Sequence, residues 1–281
     1  MSRVSTLDII QAKGQRKLSM LTAYDYPTAK IVDECGLDMI LVGDSLAMVV
    51  LGHEDTLSVG MPEMIHHTKA VVRGAKRSMV VSDLPFMSYQ VSVQQAVENA
   101  GRLVKEGGAQ AVKVEGGATI LPQVQAIVQA GIPVQGHLGL TPQSAGQLGG
   151  FKVQGKSAQA GKQLMEDAKG LAQAGCFSIV LEAVPAPLAE RVSRAIPVPT
   201  IGIGAGAGCD GQVLVVHDLV GLFDRFLPKF VKQYARLGQE MARAVTSYKQ
   251  EVEAETFPGP EHSFSMKQET LEALDQLLND G

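Results

Sequence analysis

Eight short apolar or β-branched runs recur along the chain, at residues 17–22, 39–42, 79–82, 111–114, 133–135, 178–181, 200–203 and 213–216. Between most of them lie longer stretches, 62–75, 91–106, 121–130, 160–174 and 186–195, with the 3.6-residue apolar spacing of amphipathic helices. Strands joined by crossovers of this length run parallel, because the helix must carry the chain back to the starting edge of the sheet. Eight strand–helix repeats in 281 residues predict one α/β domain, a (β/α)8 TIM barrel, since barrels of ~250 residues form a single unit. A doubly wound open sheet is the competing architecture, because periodicity does not say whether the sheet closes. The eighth strand carries the weakest signal, as 206–211 offers little helix before it. No linker, charge block or low-complexity segment divides the chain, so the barrel domain is assigned to residues 1–265. Its last part reads as a helix from 229 to about 255 and a Pro/Gly-punctuated loop over 256–265. Residues 266–281 form a C-terminal amphipathic tail with leucines at 271, 274, 277 and 278 on one helical face. The tail either docks, on the barrel or on a neighbouring subunit, or is a terminal helix without function.

In a parallel α/β protein, reacting groups gather at the carboxyl ends of the strands. This sequence places polar residues at nearly every such end: Tyr24 and Asp25, Asp44 and Ser45, Asp83, Lys113 and Glu115, His137, Glu182, and His217 with Asp218. Asp44, Asp83 and Glu115 close three successive strands, and three oxygen donors without His or Cys suit Mg²⁺ or another hard divalent cation. The plainer reading makes Asp44 and Asp83 helix N-caps, with Ser45 capping as well. Lys113 and Glu115 lie two apart on one strand face, either as a simple ion pair or as an anion-and-metal site for a 2-oxo acid. Glu182 precedes a loop containing Pro185 and Pro187, in surroundings that favour proton transfer, and is the candidate acid/base; a structural or capping role is the alternative. His137 fits a supporting position behind the reacting groups. His66 and His67 fall on a predicted helix and are not assigned to the site.

Glycines 202, 204, 206 and 208 suggest nucleotide binding, but G-x-G-x-x-G would need glycine where Ala207 or Cys209 stands, so the dinucleotide fingerprint fails. A phosphate seat in the seventh loop, or simple backbone clearance, remains as a reading of the run. With 25 Lys and Arg against 29 Asp and Glu, the net charge of −4 gives none of the basic excess that nucleic acid or anionic membranes attract. The longest apolar stretch, 39–51, is broken by Asp44 and falls short of the ~18 residues a membrane span needs. The N-terminal residues lack the apolar core of a secretory signal, so a cytoplasmic location is expected. Cys35, Cys176 and Cys209 are odd in number and widely spaced, which predicts buried free thiols rather than disulfides or zinc ligands.

The strings TAYDY, LVGDSL, SDLPFMSY, VKVEGG, GHLGLTPQS, GGFKVQGK, VLEAVP, IGIGAGAGCDGQ, HDLVG, PKF and PGPEHSF occur in order from about Thr6 to Ser265. In them the chain closely resembles the ketopantoate hydroxymethyltransferase (3-methyl-2-oxobutanoate hydroxymethyltransferase) family. Only residues 266–281 fall outside the resemblance, and Gly52-His53-Glu54-Asp55 departs mildly from it without touching a proposed ligand. The resemblance implies transfer of a hydroxymethyl group from 5,10-methylenetetrahydrofolate to 3-methyl-2-oxobutanoate through a Mg²⁺-stabilised enolate. The product would be 2-dehydropantoate, used in pantothenate and coenzyme A biosynthesis. Carried onto these residues, it implies Asp44, Asp83 and Glu115 as Mg²⁺ positions, with Asp44, Ser45, Asp83 and Lys113 contacting the 2-oxo acid. Glu182 would be the proton acceptor. It also implies a homo-oligomer, often a decamer, whose partners are the small-molecule oxo acid and folate. A Mg²⁺-dependent C–C lyase or phosphoenolpyruvate-mutase-like barrel would share the metal and enolate but not the folate. A non-catalytic scaffold would instead depend on the tail and not on Asp44.

Overall fold

A computed structural model of the chain describes residues 2–146, 149–150 and 152–279. Eight parallel strands form a closed barrel in sequence order: β1 (Leu18–Thr22), β2 (Met39–Val42), β3 (Met79–Asp83), β4 (Ala111–Glu115), β5 (Val134–Gly139), β6 (Ser178–Glu182), β7 (Thr200–Ile203) and β8 (Gly211–Leu214). The open-sheet alternative is excluded by β1 pairing with both β2 and β8. Crossover helices Tyr26–Glu34, Met61–Gly74, Val93–Arg102, Leu121–Gln129, Ala158–Gln173 and Ala186–Ala195 surround it. The segment expected as one helix over 91–106 changes at Leu103 into a π-helical turn, Leu103–Gly107. Among the described residues, no helix is long and apolar enough to cross a membrane.

Two apolar layers follow from the period-two alternation of strand side chains. Met39, Leu41, Met79, Val81, Ala111, Val180, Ile201 and Val213 fill the barrel interior. Their strand neighbours Ile40, Val42, Val80, Val112, Ile179 and Leu181 pack outward against the helices. The inward series continues up each strand from apolar to charged residues, so Asp83 follows Val81, Lys113 and Glu115 follow Ala111, and Glu182 follows Val180. Alternation alone therefore delivers the charged side chains to the mouth of the barrel.

β8 begins two residues before its predicted start and Val216 opens a short helix, Val216–Leu219. At Gly211 a Cβ would lie 2.7 Å from the Leu18 carbonyl oxygen and 2.8 Å from the Ile201 side chain, so only glycine lets the strand enter between β1 and β7. The predicted helix from 229 instead starts at Leu237 and ends at Glu253. Residues 229–236 are irregular; the Phe230 ring lies against Gly204, and Tyr234 N–H donates to the Leu219 carbonyl. The compact barrel unit ends at Tyr234, and Ala235–Gly281 form a second unit. The boundary expected at 265 thus falls inside that second unit, because Leu237–Glu253 buries no residue. Gln268–Asn279 is helical as expected, with its leucines exposed; residues 280–281 lie outside the described residues.

The glycines of the seventh loop provide packing clearance. Gly204 has φ +64°, and a Cβ there would stand 2.6 Å from the Phe230 ring, while one at Gly206 would meet Ala186. Gly204→Val should lower the unfolding free energy by about 1–3 kcal/mol through backbone strain and overpacking, measured as a lower urea midpoint at unchanged slope. All three cysteines are free; Cys176 and Cys209 are buried, but Cys35 is exposed, contrary to expectation, because it ends the helix Tyr26–Glu34 on the protein surface.

Candidate active site

One cavity opens at the carboxyl ends of the strands, and Asp44, Ser45, Asp83, Lys113, Glu115, His137 and Glu182 all line it. Asp83 sits opposite Lys113 in the β3–β4 register, and Glu115 opposite His137 in β4–β5. Cross-strand neighbours in this register are close enough for ion pairing. Lys113 Nζ lies 2.9 Å from Asp83 Oδ1 and 3.8 Å from Glu115 Oε1. Its nearer carboxylate is therefore the one on the adjacent strand, not the one two residues along its own. His137 places Nδ1 3.3 Å from Glu115 Oε1 and Nε2 3.1 Å from Glu182 Oε2, so a single ring links two carboxylates.

The capping alternatives do not describe these side chains. Asp83 Oδ2 accepts the Asp44 backbone N–H at 3.0 Å, a bond across strands rather than within a helix turn. Ser45 precedes the short helix Leu46–Val49 without making a side-chain cap bond; its Oγ lies 2.8 Å from the Tyr24 hydroxyl. Glu182 does not cap Ala186–Ala195, whose N-cap is Pro185. By contrast Asp25 does cap its helix, accepting from Thr28 N–H at 2.8 Å. His66 and His67 lie on Met61–Gly74, and His67 Nδ1 meets the Tyr24 carbonyl oxygen at 2.6 Å.

Two residues that sequence reasoning left out complete the cluster. Gln143 Nε2 donates to Asp44 Oδ2 at 2.9 Å, and its backbone N–H donates to Glu115 Oε2 at 3.0 Å. The Tyr89 hydroxyl donates to Gln143 Oε1 at 2.8 Å and accepts the Glu115 N–H at 3.0 Å. Both residues are the last or next-to-last letters of strings already noted, GHLGLTPQS and SDLPFMSY, but no spacing rule singles them out. Among the described residues, no group of three His, Cys, Asp or Glu side chains is arranged to hold a metal ion. Lys113 links Asp83 to Glu115, and Gln143 links Asp44 to Glu115.

Burial makes this cluster electrostatically tense. Burial, then the charges of Asp83 and Glu115, push the Asp44 carboxyl well above its ordinary range, and burial also raises Asp83. Glu115 is held low against its burial, first by His137. Lys113 stays protonated far into the alkaline range because Asp83, Glu115 and Asp44 outweigh its burial. Burial and the Lys113 charge oppose protonation of His137, but Glu115 and Glu182 bring it up to about 9. Across the cavity, burial alone lifts Asp218 to about 6 and lowers His217, whose ring centroid is 5.4 Å from that of Tyr24.

A family model described as ketopantoate hydroxymethyltransferase matches residues 3–260. The chain belongs to the ketopantoate hydroxymethyltransferase family. A relative from Syntrophobacter fumaroxidans, named 3-methyl-2-oxobutanoate hydroxymethyltransferase, is 68% identical over 265 residues, covering 94% of each chain. One of the same name from Enterococcus faecalis is 61% identical over 258 residues, covering 92% of this chain and 94% of its own. The chain is accordingly an enzyme of the ketopantoate hydroxymethyltransferase family. Its barrel also resembles phosphonopyruvate hydrolase in complex with oxalate and Mg²⁺, at TM-score 0.60 and 10% identity over 100% of this chain and 98% of that one. A 2,3-dimethylmalate lyase of the PEP mutase/isocitrate lyase superfamily has TM-score 0.59 and 14% identity over 98% and 96% of the two chains. At such identities the likeness is one of fold alone.

Proposed function

We propose that the protein transfers a hydroxymethyl group from 5,10-methylenetetrahydrofolate to 3-methyl-2-oxobutanoate through an enolate, forming 2-dehydropantoate. The observation that carries this reading is the buried chain Asp83–Lys113–Glu115–His137–Glu182 along one cavity wall. It sets a permanent cation beside a carboxylate that can accept a proton. The C3–H of a 2-oxo acid becomes removable when the charge developing on the ketone oxygen is stabilised by preorganised groups. Lys113 supplies fixed positive charge for that purpose, and Ser45, anchored by Tyr24, orients the oxo acid together with Asp44 and Asp83. Glu182 accepts the C3 proton, while His137 fixes its carboxylate and balances its charge. The C3 carbon then bonds to the folate methylene carbon as that carbon's bonds to the two folate nitrogens break in turn. Water supplies the new hydroxyl, and tetrahydrofolate leaves carrying the former C3 proton, relayed from Glu182, on one nitrogen and the water proton on the other.

Asp44, Asp83 and Glu115 would hold a divalent cation such as Mg²⁺, which when bound supplies Lewis-acid stabilisation of the developing oxyanion. The fit is one of donor chemistry: all three are hard oxygen ligands lining the cavity, and their side chains, now tied to Lys113, Gln143 and His137, would have to turn to one point to bind the cation. Burial raises the Asp44 and Asp83 carboxyls, and a bound cation would favour their ionised forms.

Proton NMR of 3-methyl-2-oxobutanoate in D₂O, with protein and Mg²⁺, tests the reading. Loss of the C3–H signal is expected without folate, and hydroxymethyl product only when 5,10-methylenetetrahydrofolate is added. A chelator should slow both. Intact substrate in every tube containing folded protein would overturn the proposal, and cleavage products would favour the C–C lyase, which has only likeness of fold behind it.

A further inference from the structure

The charged groups of the cavity occupy the ends of β2 to β6, while the wall around β8, diametrically across from β4, has a different character. There Phe223, Phe226 and Phe230, in the segment that follows β8, present aromatic surface to the cavity, and Asp218 is the acid on the same stretch of lining. Asp218 is 8% exposed, lines the cavity, and its carboxylate accepts no hydrogen bond from any side chain or backbone group among the described residues. A cavity-facing carboxylate with no protein donor keeps its full capacity to accept N–H groups from a ligand. The aromatic segment is held over the mouth at both ends, by Phe230 against Gly204 and by Arg225 donating to the Gly52 carbonyl at 2.9 Å. Phe226 nevertheless remains 62% exposed and Phe230 37% exposed, leaving aromatic surface uncovered in the same cavity that Asp218 lines.

We infer that this wall seats the pteridine ring of the folate co-substrate, with the Asp218 carboxylate accepting from the ring's 2-amino group and N3–H while Phe226 and Phe230 cover its faces. The inference rests on the reading in the preceding section. A pterin offers two parallel N–H donors on one edge, the same fork that makes guanidinium–carboxylate pairs bidentate, and a planar conjugated body suited to aromatic contact. The location suits the chemistry as well: an oxo acid anchored on the Lys113 side exposes C3 toward the β8 side, where the folate methylene carbon must arrive.

The test is Asp218→Asn, assayed both for folate-independent C3–H exchange in D₂O and for hydroxymethyl transfer. Losing a charge-assisted pair should raise KM for 5,10-methylenetetrahydrofolate by roughly 10- to 100-fold, with exchange changed by less than about threefold. A cofactor analogue with a methyl group in place of the 2-amino group should bind the wild type more weakly and erase most of the difference between wild type and variant. Phe226→Ala, at an exposed position that folding does not depend on, should raise the same KM. An unchanged folate KM in both variants would overturn the inference, as would exchange falling in parallel with transfer in Asp218→Asn. Wild-type protein inactive in both assays would instead overturn the reading on which it rests.

Discussion

Lys113→Met is expected to lower transfer and C3–H exchange by roughly 10²–10³-fold, the usual cost of removing a preorganised group that stabilises developing negative charge. It is also expected to destabilise the fold by about 3–5 kcal/mol, because the variant leaves Asp83, Glu115 and Asp44 buried without their common cation. The methionine fills nearly the same volume, so packing contributes little. The deficit has a definite pH dependence. Burial already raises Asp83 above its unfolded value, and loss of Lys113 raises it further. The folded state then binds more protons than the unfolded one, so stability falls as pH rises through the interval between the unfolded and folded pKa values. Urea denaturation should therefore show a smaller gap from wild type at pH 5 than at pH 8. A gap that shrinks with rising pH, or a variant that exchanges C3–H at the wild-type rate, would remove Lys113 from the proposed role.

Glu182→Gln should reduce C3–H exchange by about 10²–10⁴-fold, the range a positioned general base contributes, with a much smaller effect on stability. The amide oxygen can still meet His137 Nε2, which lies 3.1 Å from Glu182 Oε2, whereas the capacity to take a proton at neutral pH is gone. The His137 imidazole loses one of the two carboxylates that bring it up to about 9, so its titration, followed by NMR of the ring protons, should move downward. Exchange and transfer should fall together if Glu182 takes the C3 proton. Full exchange with impaired transfer would show instead that Glu182 manages protons on the folate nitrogens.

Much of this site was legible in the one-dimensional pattern, because strand alternation is a local property. Once residues 79–83 and 111–115 are strands, Asp83, Lys113 and Glu115 must share the face of Val81 and Ala111, whatever the rest of the chain does. The strand–helix rhythm likewise set parallel order, and the ordered motif strings carried the family resemblance. Closure of the barrel was not local: it depends on β8 reaching β1, which Gly211 permits by its missing side chain beside Leu18 and Ile201. Nor could spacing tell which carboxylate Lys113 would prefer, since the nearer partner lies on the neighbouring strand. The helix expected from 229 failed for a related reason, as Phe230 is taken by a contact with Gly204 far back in the sequence.

Gln143 and Tyr89 show the limit most clearly. Gln143 reaches Asp44 across a separation of 99 residues and Tyr89 reaches Gln143 across 54, bonds that no period of two or 3.6 encodes. The sequence by itself determined which residue types would stand at the strand ends, because backbone geometry repeats over a few residues. Only the tertiary structure decided how those charges are shared and what faces them across the cavity, because hydrogen bonds and ion pairs are chosen by distance in space, and the closed barrel alone brings β2, β4 and the loop after β5 within their reach.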